Sequence, residues 1–554
     1  MSMTNGSGAP RARDPETDRA TLRAVHAAAQ GGDMDRASAM AEQALKAGLE
    51  HPLLLNLVAL KLENEGRLED AAARLRRARE LAPTDISVLN ALGLVLQRLE
   101  AFREALELFE EVLRLAPDFP PAHYNRGAAM DALGQLEQAE AGYWQALELQ
   151  PGHLAAMAGL ASIAGRRGQH QEARRLAEPV LEREPNYPDA TMTVAAADLA
   201  EGGAARAEAR IRALLADPRP SLLERALATS LLGDSLDAQG RIPMAFEAYS
   251  GAGRELKRVY ADRFGRGQST LDVADWLNNY FVTARPEAWA PRPASATNPD
   301  GAAGHVFLTG FPRSGTTLLE QVLASNPAVA ALEEQDTLVD AVRAFMRAPT
   351  DMDRLAAAGD GELVPLREAY WRRVREAGVE ANGKVFVDKH PLNTLKLPLI
   401  ARLFPEAKVL FARRDPRDVV LSCFRRRFQM NAPMYQLLTL ESAAAFYAAT
   451  MQLAARLDQI LALDSLEVRH ESLVADFEPV VRSVCDFVGL EWTEAMHGFA
   501  DRTRDRAIAT PSGAQLARGL SAEGVGTWKR YREQMQPVLP ALEPWVRRFG
   551  YAAS

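Results

Sequence analysis

The chain has 554 residues, of which 47% are apolar and 25% charged, and its formal net charge is −8. Length alone predicts roughly three or four domains, and the composition is ordinary for a soluble globular protein. The net charge gives no general reason to expect nucleic acid or an anionic membrane as a partner. The two cysteines, Cys423 and Cys485, exclude a disulfide framework, and no Cys/His cluster has zinc spacing.

The N-terminal segment, "MSMTNGSGAPRARDPETDRA", is polar and lacks the apolar core of a signal peptide. We expect residues 1–17 to be disordered. No run approaches the length of apolar residues that a transmembrane helix needs, so no membrane span is expected. The default prediction for the location is the cytoplasm.

The N-terminal half of the chain repeats with a period of 34 residues. Alanine recurs at one position of the period, and bulky side chains recur four residues later, at Leu75, Phe109 and Tyr143. This spacing predicts pairs of helices in which small residues allow close approach and bulky ones fill the adjacent gap. The recurring alanines and prolines are Ala37, Ala71, Ala105, Ala139, Ala173, Ala207, Pro83, Pro117, Pro151 and Pro185.

This pattern resembles the tetratricopeptide repeat. The match is strong over residues 51–186, weaker over 18–50 and degraded over 187–255, so we predict a repeat array over 18–255. The resemblance implies a concave groove for a peptide or protein partner, or a role in self-association.

A composition change marks the end of the array. Residues 256–283 are predicted to be helical, and "ARPEAWAPRPASATNPDGAAG" at 284–304 is rich in Pro, Ala and Gly with no helical or strand period. We therefore predict a helical connector and linker over 256–303. This linker predicts that 1–285 and 300–554 are separable folding units.

The remaining residues, 304–554, predict an α/β domain. Short apolar, β-rich runs at 305–309, 384–387, 408–412 and 466–469 alternate with helical stretches. Such alternation predicts a mainly parallel sheet with helices on both faces, of the P-loop-like class, whose ligands bind at the carboxyl ends of the strands.

The first of these strands runs into "GFPRSGTT", from Gly310 to Thr317. The glycines let the backbone turn so that N–H groups at the start of the next helix can point at an anion. Nucleotide hydrolases carry Lys where this chain has Thr316. We therefore predict a site for one 5′-phosphate rather than for a triphosphate with its metal. The proposed ligand residues are Arg313, Ser314, Gly315, Thr316 and Thr317.

A second basic segment, "FARRDPRDVVLS", follows the strand at 408–412. Arg414 lies at the strand end and Ser422 lies in the next helix, with Arg426 one turn further along. Together they predict a site for a second phosphate.

The two motifs in this order resemble the sulfotransferase family over about 304–550. The resemblance implies 3′-phosphoadenosine 5′-phosphosulfate as the donor, bound without metal, with "PRSGTTLL" at its 5′-phosphosulfate and "RDPRDVVLS" at its 3′-phosphate. It also implies that "GVGTWKRYRE" folds over the nucleotide, with Lys529 near a phosphate. Nucleic acid is not expected as a partner.

The pattern of the catalytic residues is similar to that of tyrosylprotein sulfotransferases. This similarity implies Arg313 at the 5′-phosphate, Glu334 as the general base and Lys389 at the bridging oxygen or sulfonate. Glu333 is a nearby substitute for Glu334. His390 is a rival base, although on an extended chain its side chain should point away from that of Lys389.

We therefore predict an enzyme that transfers a sulfonate to a hydroxyl acceptor, with the repeat array recruiting the acceptor or a partner. A tyrosine in a protein, a sugar and a small molecule all remain open as acceptors. The alternatives are a non-catalytic tetratricopeptide scaffold with a nucleotide-binding domain, and a P-loop kinase, which would need the missing lysine.

Overall fold

The computed structural model describes residues 14–295, 297–500 and 519–553. Its contacts divide the chain into two compact units. The first contains residues up to 165 together with 171–185, and the second contains 166–170 together with the residues from 186 onward. Of the N-terminal segment predicted to be disordered, residues 1–13 lie outside the described residues, and the first helix begins at Pro15.

The first unit consists of helices joined by short turns. Up to Leu149, consecutive helices pack together in pairs, as the 34-residue period predicts, so the predicted helical solenoid is confirmed. The helices are α1 (Pro15–Gln30), α2 (Met34–Lys46), α3 (Pro52–Asn64), α4 (Leu68–Leu81), α5 (Ile86–Arg98), α6 (Phe102–Leu115), α7 (Pro120–Ala132), α8 (Leu136–Leu149), α9 (Leu154–Arg166) and α10 (His170–Arg183).

The repeat positions are explained by close helix packing. The periodic alanines are fully buried, and the ring of Phe109 fills the space beside Gly93. A β-carbon at Gly93 would lie 2.5 Å from that ring, and one at Gly127 would lie 2.9 Å from the ring of Tyr143. Only glycine therefore allows the paired helices to approach this closely.

Further helices open the second unit: α11 (Pro188–Ala200), α12 (Ala204–Ala216), α13 (Leu222–Ala238), α14 (Ile242–Val259), α15 (Ala261–Phe264) and α16 (Thr270–Thr283). The repeat pattern degrades here in sequence, yet α13 and α14 pack as a pair of the same kind. Ala245 and Tyr249 take the alanine and aromatic positions, four residues later than the period predicts.

The C-terminal part is built on a sheet of five parallel strands in the order β2-β3-β1-β4-β5. The sequence predicts four of them and misses β2, whose short, alanine-containing run gives little β signal. The predicted fold class is confirmed. The strands are β1 (Gly304–Thr309), β2 (Val329–Glu333), β3 (Val385–Lys389), β4 (Lys408–Arg413) and β5 (Asp464–Arg469).

Helices cover both faces of this sheet. Val306 and Leu308 pack in one core and Phe307 in another, so alternate side chains of β1 are buried on opposite sides. The helices are α17 (Thr316–Ala324), α18 (Val339–Phe345), α19 (Thr350–Ala357), α20 (Asp360–Glu376), α21 (Leu397–Leu403), α22 (Pro416–Arg425), α23 (Ala432–Tyr435), α24 (Leu440–Ile460), α25 (His470–Ala475), α26 (Phe477–Val488), α27 (Arg532–Met535) and α28 (Leu539–Arg548).

The Pro/Ala-rich segment that the sequence suggests as a linker packs along this sheet domain. Trp289 is buried, Arg367 donates to the carbonyl of Ser295 at 2.8 Å, and Trp371 donates to the carbonyl of Thr297 at 2.9 Å. Contacts therefore place the division between units near residue 186 rather than inside this segment. Among the helices that the structure describes, none has the length and apolarity required to cross a membrane.

Candidate active site

The loop between β1 and α17 turns tightly at the carboxyl end of the central strand. Gly315 has φ 103°, and a β-carbon there would lie 2.8 Å from Nδ1 of His470. Ser314 is buried and accepts a hydrogen bond from the N–H of Phe311 at 3.3 Å. Thr316 and Thr317 begin the helix, where N–H groups lack intrahelical acceptors and favour an anion.

The two predicted phosphate segments lie beside each other. Nε of Arg313 donates to Oγ of Ser422 in α22 at 3.0 Å. Arg414, directly after β4, donates to the carbonyl of Arg313 at 3.2 Å and to the carbonyl of Gly524. Arg426 is the exposed C-cap of α22. The loop after β1 and the helix after β4 thus form one cationic edge.

The electrostatics of this edge favour an anion. Burial, together with the charges of Arg426 and Arg414, lowers the pKa of Arg313 to about 10. Arg313 still carries its charge at neutral pH. Burial also lowers the pKa of His470 to about 3, assisted by Arg414 and Arg313, so this histidine is neutral. A negatively charged ligand would relieve the repulsion between the three guanidinium groups.

The segment with Lys529 closes over the same edge. Asp418 in α22 accepts hydrogen bonds from the N–H groups of Gly526 at 2.6 Å and Trp528 at 2.8 Å. The guanidinium of Arg417 lies 4.0 Å from the ring centre of Trp528. Lys529 is exposed in the 3₁₀ turn Thr527–Tyr531. The sequence did not single out Asp418, which anchors this turn.

Lys389 lies at the end of β3 in a cluster of carboxylates. Its side chain is fully buried, and Nζ lies 2.8 Å from Glu334, 3.3 Å from Glu333 and 3.3 Å from Glu320. Burial acts to lower the pKa of Lys389, but the charges of the three carboxylates outweigh it and raise this pKa above its ordinary value. Lys389 is therefore a permanent buried cation.

Glu334 and Arg313 share an unusual backbone conformation. Among the described residues, four other than glycine have positive φ, and these include Arg313 at 70° and Glu334 at 45°. Such conformations cost about 1–3 kcal/mol and concentrate at functional sites. The N–H of Glu334 donates to the carbonyl of Lys389 at 2.8 Å, which fixes the turn after β2 against the end of β3.

His390 lies in the same region. Burial lowers its pKa to about 4, so its imidazole is neutral and can accept a proton. Within the described part of the chain, Nδ1 of His390 has no hydrogen-bond partner. The N–H of Glu334 bonds to the carbonyl of the residue before His390, so His390 lies close to the predicted base. Both Glu334 and His390 stay predictions for that role.

Sequence reasoning missed Glu320, which is buried in α17 and contacts Lys389. The signal was present: Glu320 is the one charged side chain in the helix "TTLLEQVLA". A lone carboxylate in an apolar helix indicates a buried partner, because an unpaired buried charge is costly. The partner itself, 69 positions further along the chain, could not be read from this local pattern.

Glu320 predicts a pH dependence of stability. Burial raises the pKa of Glu320 to about 7, although Lys389 opposes this shift. Between about pH 4 and 7, Glu320 therefore binds more protons in the native protein than in the unfolded chain. The free energy of unfolding should fall as the pH rises through this window. Glu320→Gln cannot ionise. In denaturant unfolding followed by tryptophan fluorescence, we expect a smaller fall between about pH 5 and about pH 8 than in the wild type.

Glu333→Gln is the matched control, because it removes a carboxylate from the same lysine at a position that is 28% exposed rather than buried. An equal fall in stability for Glu320→Gln and the wild type would contradict the prediction. The described residues contain no group of three or more His, Cys, Asp or Glu that could hold a metal ion.

Comparisons with known proteins match both parts of the chain. Residues 305–494 match the model described as "Sulfotransferase family". Residues 22–86, 86–119 and 108–141 match models of the tetratricopeptide repeat. A solved tetratricopeptide repeat protein from Parabacteroides merdae covers 43% of this chain and 93% of its own, with 21% identity and a TM-score of 0.36.

Curated relatives share part of the chain at low identity. "Protein-tyrosine sulfotransferase A" of Caenorhabditis elegans is 23% identical over 255 residues, covering 44% of this chain and 67% of that protein. "Protein-tyrosine sulfotransferase 2" of Gallus gallus is 27% identical over 255 residues, covering 44% of this chain and 62% of that protein. An uncharacterized protein of Aquifex aeolicus (strain VF5) is 26% identical over 290 residues, covering 50% of this chain and 37% of that protein. The chain thus spans between 37% and 67% of these relatives' lengths.

The fold and the site define a helical-repeat protein with an α/β domain that has a cationic edge at the carboxyl ends of its strands. The repeats are tetratricopeptide repeats, and the α/β domain is a domain of the sulfotransferase family. The predicted family is therefore confirmed. Membership supports sulfonyl transfer as the general chemistry of this domain.

Proposed function

We propose that the second unit transfers a sulfonate from 3′-phosphoadenosine 5′-phosphosulfate to a hydroxyl acceptor. The observation that carries the proposal is the 3.0 Å hydrogen bond between Arg313 and Ser422, which joins the loop after β1 to α22. Two cationic segments are thereby adjacent at the carboxyl edge of the sheet, where ligands of such sheets bind. A nucleotide with separate 5′ and 3′ phosphates matches this pair.

The residues on each side suit a phosphate. On the 5′ side, the helix N-terminus at Thr316 and Thr317 offers N–H groups and hydroxyls, and Arg313 adds a charged donor. On the 3′ side, Arg414 and Ser422 are the proposed donors, and Arg426 and Lys529 add exposed cations. Nε of Arg414 is buried and has no hydrogen-bond partner among the described residues, so it retains a donor for a ligand.

The proposed reaction replaces one sulfur–oxygen bond with another. The acceptor oxygen bonds to sulfur while the bond from sulfur to the bridging oxygen breaks, and the electron pair remains on the 5′-phosphate. Glu334 takes the acceptor proton, and Arg313 and Lys389 offset the charge that develops on the phosphate and the transferring group. The products are a sulfate ester and 3′-phosphoadenosine 5′-phosphate.

The carboxylate cluster allows Glu334 to act as the base while Lys389 stays paired. Glu334 contacts Lys389 at 2.8 Å and is 40% exposed, while Glu320 is buried and Glu333 is 28% exposed. Glu334 can turn towards an acceptor hydroxyl and leave Lys389 paired with the other two carboxylates. The buried ammonium then never lacks a counter-charge, which would cost several kcal/mol.

The acceptor and the partners are proposed at the level of chemical class. A peptide tyrosine is the first acceptor to test, because two of the relatives carry the name protein-tyrosine sulfotransferase. Tetratricopeptide repeats suggest protein interaction, so we propose that the array recruits the acceptor or a partner protein.

The direct test uses the full chain with sulfur-labelled donor and three acceptors: a tyrosine peptide, a small phenol and an oligosaccharide. Release of 3′-phosphoadenosine 5′-phosphate together with label on an acceptor would support the proposal. Tight nucleotide binding without transfer to these acceptors, or to any component of a native lysate, would instead favour a non-catalytic scaffold.

Arg414→Ala should weaken binding of 3′-phosphoadenosine 5′-phosphate by about 1.5–3 kcal/mol, the range for hydrogen bonds to charged groups. Isothermal titration measures this loss. Arg413→Ala is the matched control, because Arg413 precedes it in the chain but pairs with Glu467 at 2.5 Å. Unchanged affinity in Arg414→Ala would remove Arg414 from the 3′-phosphate site.

A further inference from the structure

One carboxylate of the repeat-type hairpin α13–α14 holds both segments that flank the proposed 3′-phosphate site. Asp237, near the end of α13, lies 2.6 Å from Nη2 of Arg425 and accepts a hydrogen bond from the hydroxyl of Tyr531 at 2.7 Å. Arg530 reaches the same carboxylate at 3.1 Å. The side chains of Asp237 and Arg425 are only 13% and 16% exposed, so this contact is shielded from solvent.

The partners of Asp237 lie within two residues of proposed phosphate ligands in the chain. Arg425 is the last residue of α22 and precedes Arg426. Tyr531 ends the 3₁₀ turn that carries Lys529. A single side chain from the repeat-type hairpin therefore fixes the backbone at both places from which these ligands extend.

Aromatic packing surrounds this contact. The guanidinium of Arg425 lies 5.3 Å from the ring centre of Tyr249 in α14 and 5.1 Å from that of Tyr531. Tyr249 also packs edge-on against Phe424 at 6.2 Å. The cation is thus held between two rings with Asp237 as its counter-charge, and it has little freedom to move when Asp237 is present.

We propose that Asp237 is a positioning residue for the 3′-phosphate site, and that the hairpin α13–α14 is in this way a working part of the transferase. The inference rests on the proposed function, because it assigns Arg426 and Lys529 to the nucleotide. Asp237 does not contact the ligand itself. It acts through Arg425 and Tyr531, whose position determines where Arg426 and Lys529 lie.

The proposal predicts a loss that depends on the 3′-phosphate. In the full chain, Asp237→Asn keeps the size of the side chain but removes its charge. Its affinity for 3′-phosphoadenosine 5′-phosphate should fall about tenfold, a size usual for coupling through packed networks. Affinity for adenosine 5′-phosphate, which lacks the 3′-phosphate, should change by less than about twofold. Isothermal titration with both nucleotides measures the affinity ratio, which is the affinity for 3′-phosphoadenosine 5′-phosphate divided by that for adenosine 5′-phosphate.

A matched control separates this role from general destabilisation. Asp198 in α11 is another buried carboxylate of the second unit, paired with Arg206 at 3.1 Å and Arg210 at 2.9 Å. Asp198→Asn should leave the affinity ratio at the wild-type value. Tyr531→Phe removes only the hydroxyl that donates a hydrogen bond to Asp237. It should lower the ratio of the affinity for 3′-phosphoadenosine 5′-phosphate to that for adenosine 5′-phosphate by about threefold. The test therefore does not depend on the folding of one variant.

The affinity ratios of the wild type and the variants distinguish failure of the positioning role from failure of the proposed function. The positioning role is overturned if Asp237→Asn has the wild-type affinity ratio. If Asp237→Asn does not fold, a wild-type ratio in Tyr531→Phe overturns it. Either result leaves the proposed function intact. A wild-type chain that binds both nucleotides equally shows that the 3′-phosphate is not recognised, and then the proposed function itself fails. Equal loss of both nucleotides in Asp237→Asn would make Asp237 a structural residue only.

Discussion

Replacing Glu334 with Gln should lower the turnover number about 10²–10⁴-fold, the usual contribution of a general base. Nucleotide affinity should stay nearly unchanged. The carboxamide keeps the shape of the side chain and can still face Lys389, but it cannot take the acceptor proton. Steady-state rates with a phenolic acceptor give the turnover number, and titration with 3′-phosphoadenosine 5′-phosphate gives the affinity.

His390 supplies the decisive comparison for this prediction. Burial lowers the pKa of His390 to about 4, so it is an unprotonated base at neutral pH. It lies close to Glu334, whose N–H bonds to the carbonyl of the preceding residue, Lys389. His390→Ala should therefore leave most of the turnover if Glu334 is the base. If His390→Ala causes the large loss and Glu334→Gln does not, the two roles are exchanged. Glu333→Gln controls for the loss of one carboxylate beside Lys389.

The parts of this structure that the sequence predicted are those set by local patterns. The 34-residue period follows from helix pairs that pack against their neighbours, so it can be read directly from alanine, glycine and aromatic positions. The loop after β1 is similar, because a tight turn between a strand and a helix restricts residues such as Gly315. Both patterns lie within short stretches of chain.

The parts that the sequence did not predict depend on contacts between distant residues. Strand β2 is a weak β-former that is stabilised by pairing with β3, and it delivers Glu333 and Glu334 to the site. Glu320 reaches Lys389 only once α17 packs on the sheet. Asp237 reaches Arg425 across 188 positions of sequence. None of these pairings has a local pattern, so only the folded chain brings the partners together.

The division of the chain into units shows the same limit. Residues 284–304 have the composition of a linker, and composition reports only that a segment forms no regular helix or strand. It does not report whether the segment packs against a neighbouring surface. Here the buried indole of Trp289 and the backbone contacts of Ser295 and Thr297 attach it to the sheet domain.

A fragment of residues 300–554 should therefore fail to fold stably, whereas a fragment of 186–554 should fold and bind 3′-phosphoadenosine 5′-phosphate within about twofold of the full chain. Cutting at 300 removes the helices that cover α22 and α24. Phe246 lies 5.3 Å from Phe424 between ring centres, and Leu256 packs with Leu438. Each buried side chain of this size contributes about 1.5–3 kcal/mol, against about 5–15 kcal/mol for a whole domain.

The cut at 300 also leaves charges without partners. Arg425 loses both the carboxylate of Asp237 and the ring of Tyr249 that hold it in place. Together with the exposed apolar side chains, this loss exceeds the stability that a domain can spare. Circular dichroism melting and nucleotide titration of both fragments test the prediction. If 300–554 melts cooperatively and binds the nucleotide as tightly as 186–554, the helices from 186 to 283 are a separate module, and the division suggested by the linker composition is the right one.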